Sequence, residues 1–197
     1  MNTLKAEKRS MDVKAKRLRR EGYVTGNLFG REIEGSIPLK FTKKEIEVLL
    51  KNNNKGSQVM LELDGKTYDA LIKEVDYNPL AHTVEEVDFQ ALVSNEMVHS
   101  TAEIILENEE KVLSGVLQDE LKEVAYKALP ADLVDKIKVD VAGMKIGDTL
   151  RVKDLEIAKN KNIHITTDLE AVIATVTPVH NVVPETETET EEATEEK

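Results

Sequence analysis

Eight basic side chains fall within the first 24 residues: Lys5, Lys8, Arg9, Lys14, Lys16, Arg17, Arg19 and Arg20. Only Glu7, Asp12 and Glu21 oppose them, which leaves a local charge of +5, the strongest electropositive feature of the chain. Closely spaced guanidinium and ammonium groups attract phosphate oxygens, so the chemistry this segment offers is contact with a nucleic acid backbone. On charge alone, an ordinary solvated helix face fits equally well. Nothing else in the chain forms a reactive constellation. His82, His99, His164 and His180 are too dispersed for metal ligation, cysteine is absent, and no serine elbow occurs. The segment Lys145-Ile-Gly-Asp-Thr149 lacks the further glycines and following helix of a phosphate loop, so a hairpin turn is expected there. The residues therefore predict no enzyme, no catalytic or metal site, no cofactor and no small-molecule substrate.

The formal charge of the whole chain, -11, argues the other way from the basic segment. Its distribution resolves the conflict. Residues 1–95 carry 16 Lys and Arg against 15 Asp and Glu, whereas residues 96–184 carry 10 against 16. Residues 185–197 add seven glutamates and one lysine. A length of 197 residues suits two units of about 90 residues each. Aromatic residues make up only 4% and Trp is absent, so Val, Ile and Leu must fill the core, which favours β structure. No apolar run approaches the roughly 18 residues of a membrane span, and the charged N-terminus lacks the apolar centre of a signal peptide. A cytoplasmic protein with no membrane partner is expected.

The elements that must position the basic residues can be read from pattern. Ser10 predicts the cap of a helix running from Asp12 to Glu21, ended by Gly22 and anchored through Met11, Ala15 and Leu18. Thr42-Lys43-Lys44-Glu45 is a capping box that predicts a second helix stopping at Asn52-Asn53-Asn54. Val59, Leu61 and Leu63 alternate with polar residues up to Asp64-Gly65, a tight hairpin signal. Val87 and Phe89 continue the period-two pattern in a strand that closes the first unit, and Tyr77-Asn78-Pro79 predicts a turn. The second half repeats strand patterns at 104–106, 112–117, 121–128, 137–141 and 172–176. A single helical turn at Pro130 is expected to interrupt it. We read a mainly β protein with some α: domain 1–93, domain 96–183, and a disordered acidic tail 184–197.

This order of pieces resembles the bacterial large-subunit ribosomal protein twenty-five family in its two-domain form, the general stress protein CTC form. The most specific match runs from Lys127 to Leu155 and includes Leu129-Pro130-Ala131-Asp132 and Gly143-Met144-Lys145-Ile146-Gly147-Asp148. Thr167-Asp168 and Val172 to Val176 follow in the expected order. The resemblance implies a small N-terminal β-barrel with helices, docked on loop E of 5S ribosomal RNA, and a C-terminal β-rich domain. Carried over by position, it implies RNA contact through Arg9, Lys14, Lys16, Arg17, Arg19, Arg20, Phe29, Tyr77 and Asp88. It also implies neighbouring large-subunit ribosomal proteins as partners and a ribosome-associated location. For Asp88 the bland reading is a carboxylate accepting backbone donors, and for Phe29 it is core packing, the favoured of the two. The chain departs from the family pattern at Phe29, which replaces a tyrosine, and at Glu86, which replaces a histidine and lies beside Glu85. The rival functional reading is a stress-related protein-interaction module with weakened RNA binding.

Overall fold

A strand of period two whose alternate side chains turn inward will close on itself if its neighbours also curl, and the first half of the chain does so. The computed structural model describes residues 3–112 and 115–178. Its first unit comprises β1 (Thr3–Lys8), α1 (Ala15–Arg20), β2 (Tyr23–Phe29), β3 (Ser36–Thr42), α2 (Lys43–Asn52), β4 (Gln58–Leu63), β5 (Lys66–Asn78) and β6 (Thr83–Ala91). The six strands form a closed barrel in the order β1-β3-β2-β6-β5-β4. Parallel pairing of β1 with β4 seals it, which removes every free sheet edge. Leu4, Val24, Leu28, Leu39, Phe41, Val59, Leu61, Ile72, Val87 and Phe89 fill the interior. The Phe41 and Phe89 rings meet at 5.4 Å between centroids. Helix α2 covers one mouth of the barrel, burying Ile46 and Leu49 while Val48 faces solvent.

Several local expectations hold in atomic detail. The Thr42 hydroxyl accepts from the Glu45 amide and the Glu45 carboxylate accepts from the Thr42 amide, the reciprocal capping box. Asp64 and Gly65 both have positive φ, 51° and 77°, as a type I′ turn between β4 and β5 requires. Asn78 Oδ1 accepts from the amides of Leu80 and Ala81 and holds the turn after β5.

The N-terminal segment differs from its reading. Residues 3–8 form a barrel strand, because Leu4 and Ala6 alternate with Thr3, Lys5 and Glu7 and point into the core. The helix is shorter than expected, six residues beginning after Lys14, with no side-chain cap. Ser10 instead closes a local turn with Asp12, accepting from its amide at 3.3 Å. Met11 is 74% exposed and anchors nothing; Leu18 alone is buried. Gly22, at φ 87°, does end the helix.

The second unit has its own core around Val124, Tyr126, Val152, Leu155 and Ile173. One sheet runs in the order β10 (Lys136–Asp140), β7 (Val98–Glu107), β9 (Glu123–Ala128), β12 (His164–Ile165). The other orders β11 (Thr149–Arg151), β13 (Val172–Thr177), β8 (Val116–Asp119). Among the described residues four 3₁₀ turns interrupt these strands, at 109–111, 130–132, 152–154 and 156–159, where one had been expected. The strand anticipated from Val112 begins only at Val116. The turn at Lys145–Asp148 forms, the Asp148 amide donating to the Lys145 carbonyl at 2.9 Å. It is not a hairpin, since the strands on either side pair with different partners, β10 with β7 and β11 with β13. The acidic tail expected at 184–197 lies outside the described residues.

Candidate functional site

Pairing of β2 with β3 places Tyr23 opposite Thr42, so the end of α1 and the start of α2 come together at one rim of the barrel. The Lys43 amide donates to the Gly22 carbonyl at 3.1 Å and fixes that approach. The result is a hollow of about 430 Å³ lined by Lys16, Arg19, Arg20, Lys43, Tyr23, Val84 and Glu85. Lys16 and Arg20 are exposed there and Lys43 is half-buried. Lys43 and Lys44 open α2, where the helix dipole disfavours positive charge. Their placement is therefore not an optimum for helix stability. Lys43 escapes sequence reading because only the strand register, formed across 20 residues of chain, brings it beside α1.

The nine residues singled out in the sequence do not form one surface. Lys14 stands exposed at the N-cap of α1. Arg17 is exposed and pairs with Glu21 at 2.8 Å, one turn along the helix. The paired carboxylate holds its guanidinium above the ordinary arginine value. Arg9 is half-buried and donates from Nη2 to the Val13 carbonyl at 3.1 Å, bracing the turn before α1. Its Nε is buried with no hydrogen-bond partner among the described residues. Arg19 is bound most firmly. Its Nη1 meets Glu85 at 2.9 Å, its Nη2 meets Glu86 at 3.0 Å, and its Nε donates to the Glu85 carbonyl at 3.1 Å. Thr25, fully buried beneath it, accepts a longer contact at 3.4 Å.

Asp88 Oδ1 accepts from the Asn27 amide at 3.0 Å and from Asn27 Nδ2 at 3.1 Å, tying β6 to β2. With Glu74, Asp76 and Glu86 it also lines an acidic hollow on the outer face of β5 and β6. Phe29 does not pack in the core, contrary to the favoured reading. Val24, Gly26 and Leu28 take the inward positions of β2, so parity turns Phe29 outward, half-buried at the strand end. Tyr77 is 52% exposed, with its hydroxyl 3.2 Å from His82 Nδ1. It lies at the end of β5, where the register pairs it with Val84, a residue that lines the cationic hollow.

Comparison with known proteins decides the family. Residues 4–89 match the Ribosomal L25p family, and residues 97–180 match the C-terminal domain of ribosomal protein TL5. A protein of Carboxydothermus hydrogenoformans called large ribosomal subunit protein bL25 is 33% identical over 181 residues, covering 91% of this chain and 89% of that protein. The chain belongs to the L25 family of ribosomal proteins. Proteins of the same name from Bacillus velezensis, 30% identical over 183 residues, and Akkermansia muciniphila, 31% identical over 176, span 90% and 87% of the chain. They cover 89% and 87% of their own lengths. This L25 chain is thus of the long, two-domain form, and its role is structural and ribosomal, not enzymatic. Among the described residues no helix is long and apolar enough to cross a membrane.

Proposed function

We propose that this L25 chain binds 5S ribosomal RNA through the cationic rim of its barrel, as a ribosome-associated component in the cytoplasm. The observation that carries the reading is the convergence of Lys16, Arg20 and Lys43 on one hollow beside α1, with Lys14 and Arg17 on the flank. Helical RNA presents phosphates and 2′-hydroxyls across a shallow minor groove, which suits a rim of long cationic side chains better than a deep pocket. The acidic hollow next to the rim then sets the docking angle by repelling the same backbone. The proposed boundaries are 1–93 for the RNA-binding unit and 96–183 for a unit that faces neighbouring large-subunit proteins. The test is a salt titration of binding to a fragment of 5S ribosomal RNA. Changing Lys16, Arg20 and Lys43 together to Gln should flatten the slope of log affinity against log salt by about 2, since each lost phosphate contact removes roughly 0.7–0.9. Salt-insensitive binding by the native chain would sink the proposal.

A second reading, a stress-related protein-interaction module, draws support from Arg19, whose charge is already met by Glu85 and Glu86. It predicts no measurable RNA affinity at low salt and no sedimentation with large subunits.

A further inference from the structure

A second concentration of positive charge lies where the two units meet, and no part of the RNA reading uses it. The barrel and the second unit enclose an open crevice of about 290 Å³ lined by Lys55, Gly56, Leu71, Lys73, Glu74, His99, Ser100 and Thr101. We propose that this crevice binds a phosphate oxyanion. Its walls are set rigidly. An added Cβ on Gly56 would collide with the Thr101 carbonyl oxygen, so the two backbones meet there with no room between them. Ser57 Oγ donates to Asp135 across the junction at 3.2 Å.

With Lys127 beside it, the crevice gathers the ammonium groups of Lys55, Lys73 and Lys127 against the carboxylates of Glu74 and Glu123. Lys73 donates one hydrogen to the His99 carbonyl at 2.8 Å, which leaves two donors for a ligand, and it has no ion pair among the described residues. Lys127, outside the crevice lining, lies opposite His99 in the register of β7 and β9 and has no ion pair among the described residues. Lys55 has a loose contact with Glu123 at 3.7 Å. Burial, and then the charge of Lys55, holds the Lys73 ammonium below the ordinary lysine value. Burial, then Lys127 and Lys73, likewise lower the His99 imidazole. Glu74 at the mouth and Glu123 on Lys55 are the opposing carboxylates. A tetrahedral oxyanion would accept from Lys73, Lys55 and a protonated His99 at once and relieve their mutual repulsion. A cation meets the opposite balance.

Free phosphate and a phosphate of a nucleic acid backbone present the same oxygens, and the experiment separates them. The full-length protein is titrated with inorganic phosphate at constant ionic strength, balanced with chloride, while backbone amide resonances are followed. Saturable shifts are expected at Gly56, His99, Ser100 and Thr101. Lys73→Met, which keeps the aliphatic stem, should weaken binding about tenfold, the scale of one charge-assisted hydrogen bond. Glu74→Gln should tighten it. If Lys73→Met does not fold, Lys55→Gln carries the same expectation. Chloride-like, unsaturable shifts, or equal affinity in these variants, overturn the proposal. In a second arm a short RNA duplex of unrelated sequence replaces phosphate. Shifts at the same amides assign the site to backbone phosphate, and shifts with inorganic phosphate alone assign it to the free ion. Silence in both arms refutes it. The site is independent of the barrel rim, so the Lys16, Arg20 and Lys43 variant should keep these shifts while losing RNA contacts at α1.

Discussion

Changing Glu86 to Gln should move two properties of this protein in opposite directions. Glu86 meets Arg19 at 3.0 Å, and the two side chains are 33% and 29% exposed. Unit charges about 4 Å apart interact by about 4 kcal/mol at an effective dielectric of 20. Partial solvent screening and the hydrogen bond that Gln can still accept reduce the loss to about 1 kcal/mol. Urea unfolding should show that loss as a lower midpoint with an unchanged slope. RNA affinity should rise, because the acidic hollow of Glu74, Asp76, Glu86 and Asp88 loses one charge. Removing a charge about 10 Å from a phosphate is worth about 0.4 kcal/mol in water, or about twofold in affinity at low salt. Arg19 stays held by Glu85, so the salt slope should change little. Changing Glu85 and Glu86 together frees the guanidinium and should steepen the slope by about one contact. Fluorescence anisotropy with a labelled 5S ribosomal RNA fragment across a potassium chloride series reads both quantities. A fall in affinity with the single variant would refute the reasoning, because it would mean that Glu86 accepts a donor from the RNA.

Other perturbations test how the barrel holds the rim. Gly26→Ala should prevent barrel closure, since the added Cβ would press on the Val87 carbonyl oxygen inside contact distance; loss of cooperative thermal unfolding is the expected readout. Thr42→Ala removes the capping box that fixes the first turn of α2, for about 1 kcal/mol by urea unfolding. Tyr126→Phe leaves the amide and carbonyl of Val134, bonded to the Tyr126 hydroxyl at 2.7 and 2.6 Å, without partners, a loss of about 2–3 kcal/mol. Burial, ahead of the opposing bond to Val134, pushes the Tyr126 phenol up. The stability this adds is complete below the unfolded tyrosine value of about 10 and is lost as pH rises through the folded value. The variant should therefore show a flatter alkaline limb than the native protein.

What could be read from the sequence was local. The capping box at Thr42, the hairpin at Asp64-Gly65 and the inward parity of Val87 and Phe89 depend on neighbours within a few residues, and each appears as expected. The strand at residues 3–8 is not legible from its neighbours, because the short Leu4 and Ala6 alternation needs β4 beside it to become a strand. Phe29 was expected in the core, yet strand parity gives the inward place to Leu28. The rim itself was half legible. Lys16 and Arg20 were found by charge density, whereas Lys43 and the Arg19 lock by Glu85 and Glu86, 66 and 67 residues away, exist only after closure.

A net charge of -11 leaves the question of how such a chain approaches RNA at all. Contact free energy depends on the cations at the interface, while net charge acts through the long-range field, which falls off over about 10 Å at 0.1 M salt. The two effects therefore separate kinetically. Residues 185–197 contribute -6 of the total. Deleting them should speed association with 5S ribosomal RNA at low salt, leave dissociation unchanged, and lose its effect as salt rises to physiological strength. Stopped-flow mixing at several salt concentrations measures both rates. If the truncated protein dissociated faster, the acidic segment would be part of the bound contact, and the division of labour between a cationic rim and a repelled acidic remainder would be wrong.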